Sequence, residues 1–350
     1  MALPRKIGLG VIGVGGIGKA HCRSIKQIEN AELVAIADID EPVAGAIGEE
    51  FGCEVYTDYH KMLQREDIEI INVATPSGMH GEHSIDAMRA GKHVLSEKPL
   101  EITLPKIDQM IAVSKETGMK LSSIFQNRLG DAAQQIHRAA QRNAFGRLIY
   151  GEASVKWHRT QEYYDKNGGW RGTWRWDGGG SLMNQSVHYI DLLQWFMGPV
   201  KSVRARTAVM NHKIETEDLG VATVEFANGA LGAIVGTTSA YPGYSARVDV
   251  FGTQGTAIWE NGEIKAWNIV GREDAKPPVA GSEAASGTAA DPMALSVQGH
   301  ARQIYLFALA VIEGREPEVT AQDARKAVEI ILAIYRSSQT GEPVELPLKA

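Results

Sequence analysis

Two short segments of the chain carry side chains that could move a proton or stabilise a developing negative charge. Glu97 and Lys98 follow the apolar run His93–Leu95, so both are expected at the end of a buried strand. An ammonium group at such a point could stabilise an oxyanion. Farther along, Asn184 and His188 are four residues apart, which places them on one face of a helix. Histidine titrates near neutral pH, so His188 is a candidate acid/base.

A glycine-rich turn near the N-terminus has the spacing of a nucleotide-binding site. The apolar run Ile7–Ile12 leads into a G-x-G-x-x-G turn, whose residues are Gly13, Val14, Gly15, Gly16, Ile17 and Gly18. In such a turn the first glycine permits a tight bend, and the second lets the backbone approach a pyrophosphate. The third lets the helix pack closely on the strand. The N–H groups at the start of that helix would bind phosphates.

A carboxylate downstream of this turn indicates which dinucleotide is bound. Asp38 follows Gly18 by twenty residues and ends the apolar run Leu33–Ala37. A carboxylate at this position accepts hydrogen bonds from ribose hydroxyls. The next residue is Ile39, and no arginine or serine is nearby to bind a 2′-phosphate. The sequence therefore predicts NAD as the cofactor in preference to NADP.

The helices and strands predicted to hold these residues follow different patterns in two parts of the chain. Up to about Gln126, short apolar runs alternate with helical patterns, which predicts a doubly wound parallel sheet of the Rossmann type. From about Arg147, strand-like runs follow one another with hairpin signals at Asn228-Gly229 and Asn261-Gly262. This part predicts an α/β domain with an open, mainly antiparallel sheet. We expect an NAD-binding domain at 1–127 and a substrate-binding and oligomerisation domain at 128–350.

Two glycine-rich segments of the second part add further expectations. Gly178–Gly180 precede the helix of His188, where they would let a substrate or cofactor ring lie against the backbone. The stretch from Arg272 to Pro292 is rich in glycine, alanine, serine and proline, which predicts a mobile loop.

Together these motifs resemble the Gfo/Idh/MocA oxidoreductases, a family that includes glucose–fructose oxidoreductase, inositol dehydrogenases and nucleotide-sugar 3-dehydrogenases. The resemblance covers essentially the whole chain. The segments that carry it are Gly13–Gly18, Thr75-Pro76 with His80, Glu97-Lys98-Pro99, Gly178–Gly180 with His188 and Asp191, and His300 with Asp323-Ala324.

The resemblance implies a dehydrogenase that oxidises a secondary ring hydroxyl of a sugar, cyclitol or sugar derivative with NAD. Lys98 would bind the reacting hydroxyl and stabilise the oxyanion, and His188 would be the acid/base. Many members have aspartate where this chain has Asn184. An amide cannot ionise, so Asn184 can only hold geometry by hydrogen bonds. The resemblance also implies a homodimer or homotetramer.

The resemblance further implies two sets of binding residues. The cofactor would contact Gly13, Gly15, Gly16, Ile17, Gly18, Asp38, Ile39, Thr75, Pro76, His80, Glu97, Lys98, Gln126, Trp170 and Arg171. The substrate would contact Lys98, Arg128, His158, Tyr163, Arg171, Asn184, His188 and His300. For Arg128, His158, Tyr163 and His300 taken singly, a purely structural role is an equal alternative.

Two other functions are compatible with the same residues. The reaction could run in the opposite direction, as the reduction of a keto- or anhydro-sugar, because the same groups serve both directions. The chain could also be a non-catalytic NAD-binding sensor, although such a protein need not keep both Lys98 and His188.

Composition and charge exclude several classes of protein. The 350 residues are 44% hydrophobic and 22% charged, which is ordinary for a soluble globular protein. The net charge of −6 and the lack of a basic cluster argue against nucleic-acid binding. No run of about 18 apolar residues predicts a membrane span. Two cysteines cannot form a disulfide framework and favour the cytoplasm.

A metal site is also not expected. His80, Glu82 and His83 resemble part of a zinc-binding pattern, but no further strong ligand follows at a suitable spacing.

Overall fold

A computed structural model describes residues 1–272 and 297–348 of the chain. The loop predicted for 272–292 lies outside these residues, apart from Arg272 itself. The chain divides into two compact units. The first consists of Met1–Gln126 with Ser296–Arg325, and the second of Asn127–Leu295 with Lys326–Ala350.

The first unit contains a six-stranded parallel sheet with the strand order β3-β2-β1-β4-β5-β6. Its strands are β1 (Ala2–Ile12), β2 (Glu29–Ala37), β3 (Glu54–Tyr56), β4 (Ile70–Val73), β5 (His93–Ser96) and β6 (Leu121–Ser123). The helices along this part of the chain are α1 (Gly16–Ile25), α2 (Glu41–Phe51), α3 (Tyr59–Leu63), α4 (His80–Arg89) and α5 (Leu104–Thr117).

The apolar runs of this unit form strands because both faces of the sheet are covered. Leu9, Val11 and Ile36 are fully buried, as are all four residues of β4. The chain changes direction across the sheet between β1 and β4, and parallel sheets bind ligands at such a point, beyond the carboxyl ends of the strands. The predicted doubly wound Rossmann sheet is confirmed.

The second unit contains an eight-stranded mixed sheet in the order β13-β12-β11-β7-β10-β9-β8-β14. Its strands are β7 (Leu148–Lys156), β8 (Val200–Ala208), β9 (Leu219–Phe226), β10 (Leu231–Thr237), β11 (Arg247–Gly252), β12 (Gly255–Glu260), β13 (Glu263–Ile269) and β14 (Val344–Glu345). The pairing of β7 with β10 is parallel and the other pairings are antiparallel, which confirms the mainly antiparallel prediction.

The remaining helices are α6 (Asp131–Gln141), α7 (Gln161–Asp165), α8 (Val187–Met197), α9 (Val297–Ile312) and α10 (Ala321–Thr340). A π-helical turn, Ser181–Ser186, leads directly into α8. Among the described residues, no helix combines the length and the apolar character that a membrane crossing needs.

Helix α9 groups with the first unit, whereas the sequence-based boundaries placed it after 128 in the second domain. Its buried residues Ile304, Phe307 and Ala308 belong to the same apolar core as Leu9 and Val11 of β1. Position along the chain therefore assigns this helix to the wrong domain. Its apolar face packs in a core that also contains residues almost 300 positions earlier in the chain.

Candidate active site

The glycine-rich turn after β1 has the backbone geometry that its spacing predicts. Gly13 has φ +84°, a left-handed conformation that favours glycine. A Cβ atom on Gly18 would lie 1.9 Å from the carbonyl oxygen of Gly13, so α1 can start here only with glycine at this position. A Cβ atom on Gly15, in contrast, would meet no atom within 4 Å. The backbone at Gly15 is therefore open to a ligand.

Asp38 lies beside this turn, at the end of β2. Its Oδ2 atom accepts a hydrogen bond from the Val14 N–H at 2.8 Å, and Oδ1 accepts one from Asp40 N–H at 3.0 Å. Ile39 is 92% exposed. Helix α1 begins without a side-chain cap or an acidic residue in its first turn, so its N–H groups can meet a phosphate. The open turn, the uncapped helix and Asp38 fit the pyrophosphate and ribose of NAD.

The other cofactor candidates of the first unit also follow carboxyl ends of its strands. Thr75 and Pro76 come after β4, Lys98 after β5 and Gln126 after β6. The Oε1 atom of Gln126 is buried and has no hydrogen-bond partner among the described residues. A buried orphan acceptor is costly, and a bound ligand with a donor would satisfy it.

His80 connects two of these turns. Its Nδ1 atom contacts the carbonyl oxygen of Pro99 at 2.8 Å, and its Nε2 atom contacts the carbonyl oxygen of Thr75 at 2.8 Å. Because the side chain is 1% exposed and both nitrogens are used, these contacts favour a structural brace over direct cofactor contact.

Glu97 lies at the centre of a buried triad with His21 and His300. Its Oε1 atom is 2.9 Å from His21 Nε2 and 3.2 Å from His300 Nε2, and its Oε2 atom accepts the Lys98 N–H at 3.1 Å. Burial alone would raise the pKa of Glu97, but hydrogen bonds from His21 and His300 hold it well below its usual range. The triad therefore holds an ionised carboxylate directly before Lys98.

The sequence interpretation missed this triad in two respects. His300 was expected to contact substrate, whereas the structure places it on Glu97, and His21 was not singled out at all. The ligand atoms of the three side chains lie within 4.8 Å of one another, an arrangement that could also hold a metal ion. No spacing rule could find this set, because its members are 76 and 203 residues apart from Glu97 along the chain.

In the second unit, two of the glycines before His188 are closely packed against other parts of the protein. A Cβ atom on Gly179 would lie 2.1 Å from Tyr335 Oη, and one on Gly180 would lie 1.9 Å from the carbonyl oxygen of Glu217. Glycine at positions 179 and 180 therefore allows the protein's own atoms to approach closely on the Cβ side. Contact of a substrate or cofactor ring with Gly178–Gly180 stays a prediction.

Glu217 fixes the start of the π-helical turn that leads to His188. Its carboxylate accepts hydrogen bonds from Gly180 N–H at 3.0 Å, Leu182 N–H at 2.8 Å and the Tyr335 hydroxyl at 3.0 Å. Burial raises the pKa of Glu217 to about 7, because desolvation outweighs the effect of these donors. Turns of π-helix are frequent at functional sites, which agrees with the position of this one two residues before His188.

Asn184 lies in the same π-helical turn and is part of a polar cluster. It bonds to Asp177 and Gln185, and Gln185 in turn bonds to Tyr163. The Arg171 guanidinium lies over the rings of Tyr163 and Trp170, 4.8 Å from each centroid. The structure therefore brings together four residues predicted for the site, which are Tyr163, Trp170, Arg171 and Asn184.

Two other predicted substrate contacts are used by the protein itself. Arg128 donates to both carboxylate oxygens of Asp191, at 2.6 and 2.7 Å, and its guanidinium lies over Trp195. Both members of this ion pair are buried, which favours the structural alternative for Arg128. His158 pairs edge to face with Tyr241 at 5.3 Å, and its contact with substrate stays a prediction.

The fold and the glycine turn define an NAD-binding oxidoreductase, and comparison with known proteins agrees. Residues 7–125 match the model of the oxidoreductase family with an NAD-binding Rossmann fold, and residues 133–258 match the GFO/IDH/MocA C-terminal domain. The chain belongs to the GFO/IDH/MocA family of NAD-dependent oxidoreductases, which act on CH–OH groups.

Three relatives illustrate the similarity. The WlbA dehydrogenase from Bordetella pertussis, crystallised with NADH and UDP-GlcNAcA, has a TM-score of 0.86 and 33% identity, covering 99% of this chain and 100% of that one. Myo-inositol 2-dehydrogenase from Thermotoga maritima is 28% identical over 72% of this chain and 75% of its own. The uncharacterized oxidoreductase YrbE from Bacillus subtilis is 26% identical over 98% of both chains.

Proposed function

We propose that this protein oxidises a secondary ring hydroxyl of a sugar, cyclitol or sugar derivative, with His188 as acid/base and Lys98 as oxyanion stabiliser. The observation that carries the proposal is that the chain has both groups and that buried hydrogen bonds hold the backbone before each of them. Lys98 follows an ionised, buried Glu97 at the carboxyl edge of the parallel sheet. His188 is the second residue of α8, which follows a π-helical turn whose start is held by hydrogen bonds to Glu217.

The chain's own residues account for cofactor binding. The N–H groups of the Gly13–Gly18 turn and of α1 bind the pyrophosphate, and Asp38 accepts from the adenosine ribose. The exposed Ile39 side chain offers an apolar surface to the adenine. Gln126 uses its buried, orphaned carbonyl oxygen to accept a hydrogen bond from the cofactor.

The bound NAD supplies the hydride acceptor. His188 takes the proton of the reacting hydroxyl, a contribution worth about 10²–10⁴-fold in rate. Lys98 holds the oxygen that becomes negative as the proton leaves, and a preorganised cation at this point contributes a factor of about 10²–10³. Dehydrogenation rather than reduction is the proposed direction, and both directions use the same proton and the same oxyanion site.

Among sugar derivatives, nucleotide sugars should be tested first as substrates. The WlbA dehydrogenase, at 33% identity over nearly the whole chain, was crystallised with UDP-GlcNAcA. Within the described residues Arg171 also forms no ion pair with a carboxylate. Its guanidinium lies over the ring of Tyr163, which accepts a hydrogen bond from Gln185, and Gln185 also donates to Asn184. A guanidinium in this setting suits an anionic group on the substrate.

The test is a screen of sugars, cyclitols and nucleotide sugars with NAD, in which NADH formation is followed for the wild type and two variants. His188→Ala should lower turnover by about 10²–10⁴-fold. Lys98→Met should lower it by about 10²–10³-fold, and both variants should bind NADH nearly as well as the wild type. His60→Ala, at an exposed histidine of the first unit, is the matched control and should keep full turnover. Wild-type turnover in the His188→Ala variant would contradict the assignment.

A further inference from the structure

The helical face that carries His188 has no carboxylate at position 184, yet another segment supplies one. Asp177 is 1% exposed, and its Oδ1 atom accepts a hydrogen bond from Asn184 Nδ2 at 2.5 Å. Its Oδ2 atom accepts the Gly172 N–H at 2.8 Å. We propose that Asp177 is a positioning residue of the active site, which fixes Asn184 and thereby makes Tyr163 a hydrogen-bond donor to the substrate. This inference rests on the proposed function.

The hydrogen bonds around Asn184 run in one direction. Arg159 donates to Gln185 Oε1 at 3.1 Å, and Gln185 Nε2 donates to Asn184 Oδ1 at 2.7 Å. Asn184 then donates to Asp177. A guanidinium can only donate and a carboxylate can only accept, so the two ends of the chain fix the orientation of both amides between them. An amide at position 177 would remove the acceptor that defines this orientation.

Tyr163 is connected to the same chain in a way that assigns its proton. Gln185 Nε2 donates to Tyr163 Oη at 2.8 Å, so the phenol oxygen is the acceptor in this bond. Its O–H proton therefore points elsewhere, and within the described ranges no protein atom accepts it. The guanidinium groups of Arg159 and Arg171 lie over the ring, at 5.5 and 4.8 Å from its centroid, and fix its plane. A hydroxyl or ring oxygen of a carbohydrate is the acceptor that fits.

Two amide–carboxylate exchanges separate positioning from simple structural support. In Asp177→Asn, the new amide can still accept the Gly172 N–H, but its NH₂ group then faces the NH₂ group of Asn184. In the exchange variant, Asp177→Asn with Asn184→Asp, the amide at 177 donates to the carboxylate at 184. That carboxylate still accepts from Gln185, so the hydrogen bond between positions 177 and 184 forms again with its direction reversed.

The experiment measures kcat, KM and NADH affinity for the wild type, Asp177→Asn and the exchange variant. Asp177→Asn should lower kcat by about 10–100-fold, the scale of a misplaced reacting group, with the dissociation constant for NADH unchanged. The exchange variant should recover most of the lost turnover. Tyr163→Phe should raise KM by about 3–10-fold, the value of one hydrogen bond, with a smaller change in kcat.

Asp249→Asn is the matched control. Asp249 is a buried aspartate that binds Arg247 and takes no part in the chain. The Asp249→Asn variant should have the same kcat per folded molecule as the wild type.

Three results would overturn the inference. The first is wild-type kcat in Asp177→Asn. The second is an exchange variant that folds and binds NADH but recovers no turnover. The third is an unchanged KM in Tyr163→Phe. If any of these occurs while His188→Ala is inactive, the positioning role alone is refuted and the proposed function stands. If His188→Ala keeps wild-type turnover, the proposed function fails, and the positioning role fails with it.

Discussion

Glu217 should make the stability of the second unit depend on pH. Its side chain is buried, and burial raises its pKa to about 7 from an ordinary value of 4.5. Glutamine at this position cannot ionise. We therefore predict that Glu217→Gln removes a pH-dependent part of the free energy of unfolding that the wild type shows between these two values.

The sign and size of the effect follow from the two pKa values. A carboxyl group with a higher pKa in the folded chain binds more protons when folded. Its stabilising contribution is fully present below about pH 4.5 and is lost as pH rises through about 7. The whole change is about 3 kcal/mol, of which about 2.5 kcal/mol falls between pH 5 and pH 8. The wild type should lose this much relative to Glu217→Gln over that interval.

Intrinsic fluorescence gives a direct assay, because all seven tryptophans lie in the second unit, from Trp157 to Trp267. Urea unfolding followed by fluorescence at pH 5 and pH 8 yields the free energy of unfolding for each variant. Glu225→Gln, at an exposed carboxylate paired with Lys201, is the control and should not flatten the pH dependence. An equal pH dependence in the wild type and Glu217→Gln would contradict a raised pKa for Glu217 in the folded protein.

Three further outcomes are expected. Gly15→Ala should fold normally, because its Cβ meets no atom within 4 Å, yet weaken NADH binding about tenfold or more in a fluorescence titration. Gly18→Ala should lower the melting temperature as well as NADH affinity, since its Cβ would lie 1.9 Å from Gly13 O. Arg128→Met should cost about 3–5 kcal/mol in tryptophan-monitored unfolding by leaving Asp191 unpaired; a raised KM with unchanged stability would instead indicate substrate contact.

Most of the fold could be predicted because its signals are local. Apolar runs followed by glycine or asparagine turns define both sheets, and the Asn228-Gly229 turn lies between β9 and β10 as expected. The nucleotide turn was predictable for the same reason, since the bend at Gly13 and its approach to α1 depend on neighbouring residues. Asp38 lies beside this turn at the spacing that the sequence indicates.

The rest of the site depends on contacts that no local pattern encodes. His21, Glu97 and His300 meet from three distant segments, and Tyr335 and Glu217 fill the space beside Gly179 and Gly180. Asp177 precedes Asn184 by seven residues, a separation at which side chains meet only because a glycine turn and a π-helical turn lie between them. The role of Arg128 also depends on burial, because its ion-pair partner is buried together with it.

The proposed reaction is oxidation of a ring hydroxyl by NAD, with His188 as acid/base and Lys98 as oxyanion stabiliser. Its most direct test is product analysis with a substrate found in the screen, comparing the ketone formed with the NADH formed. We expect equimolar ketone and NADH from the wild type, and a rate lower by about 10²–10⁴-fold from His188→Ala with NADH affinity retained. NADH binding without turnover of any sugar, cyclitol or nucleotide sugar would contradict it, as would equal rates for the two proteins.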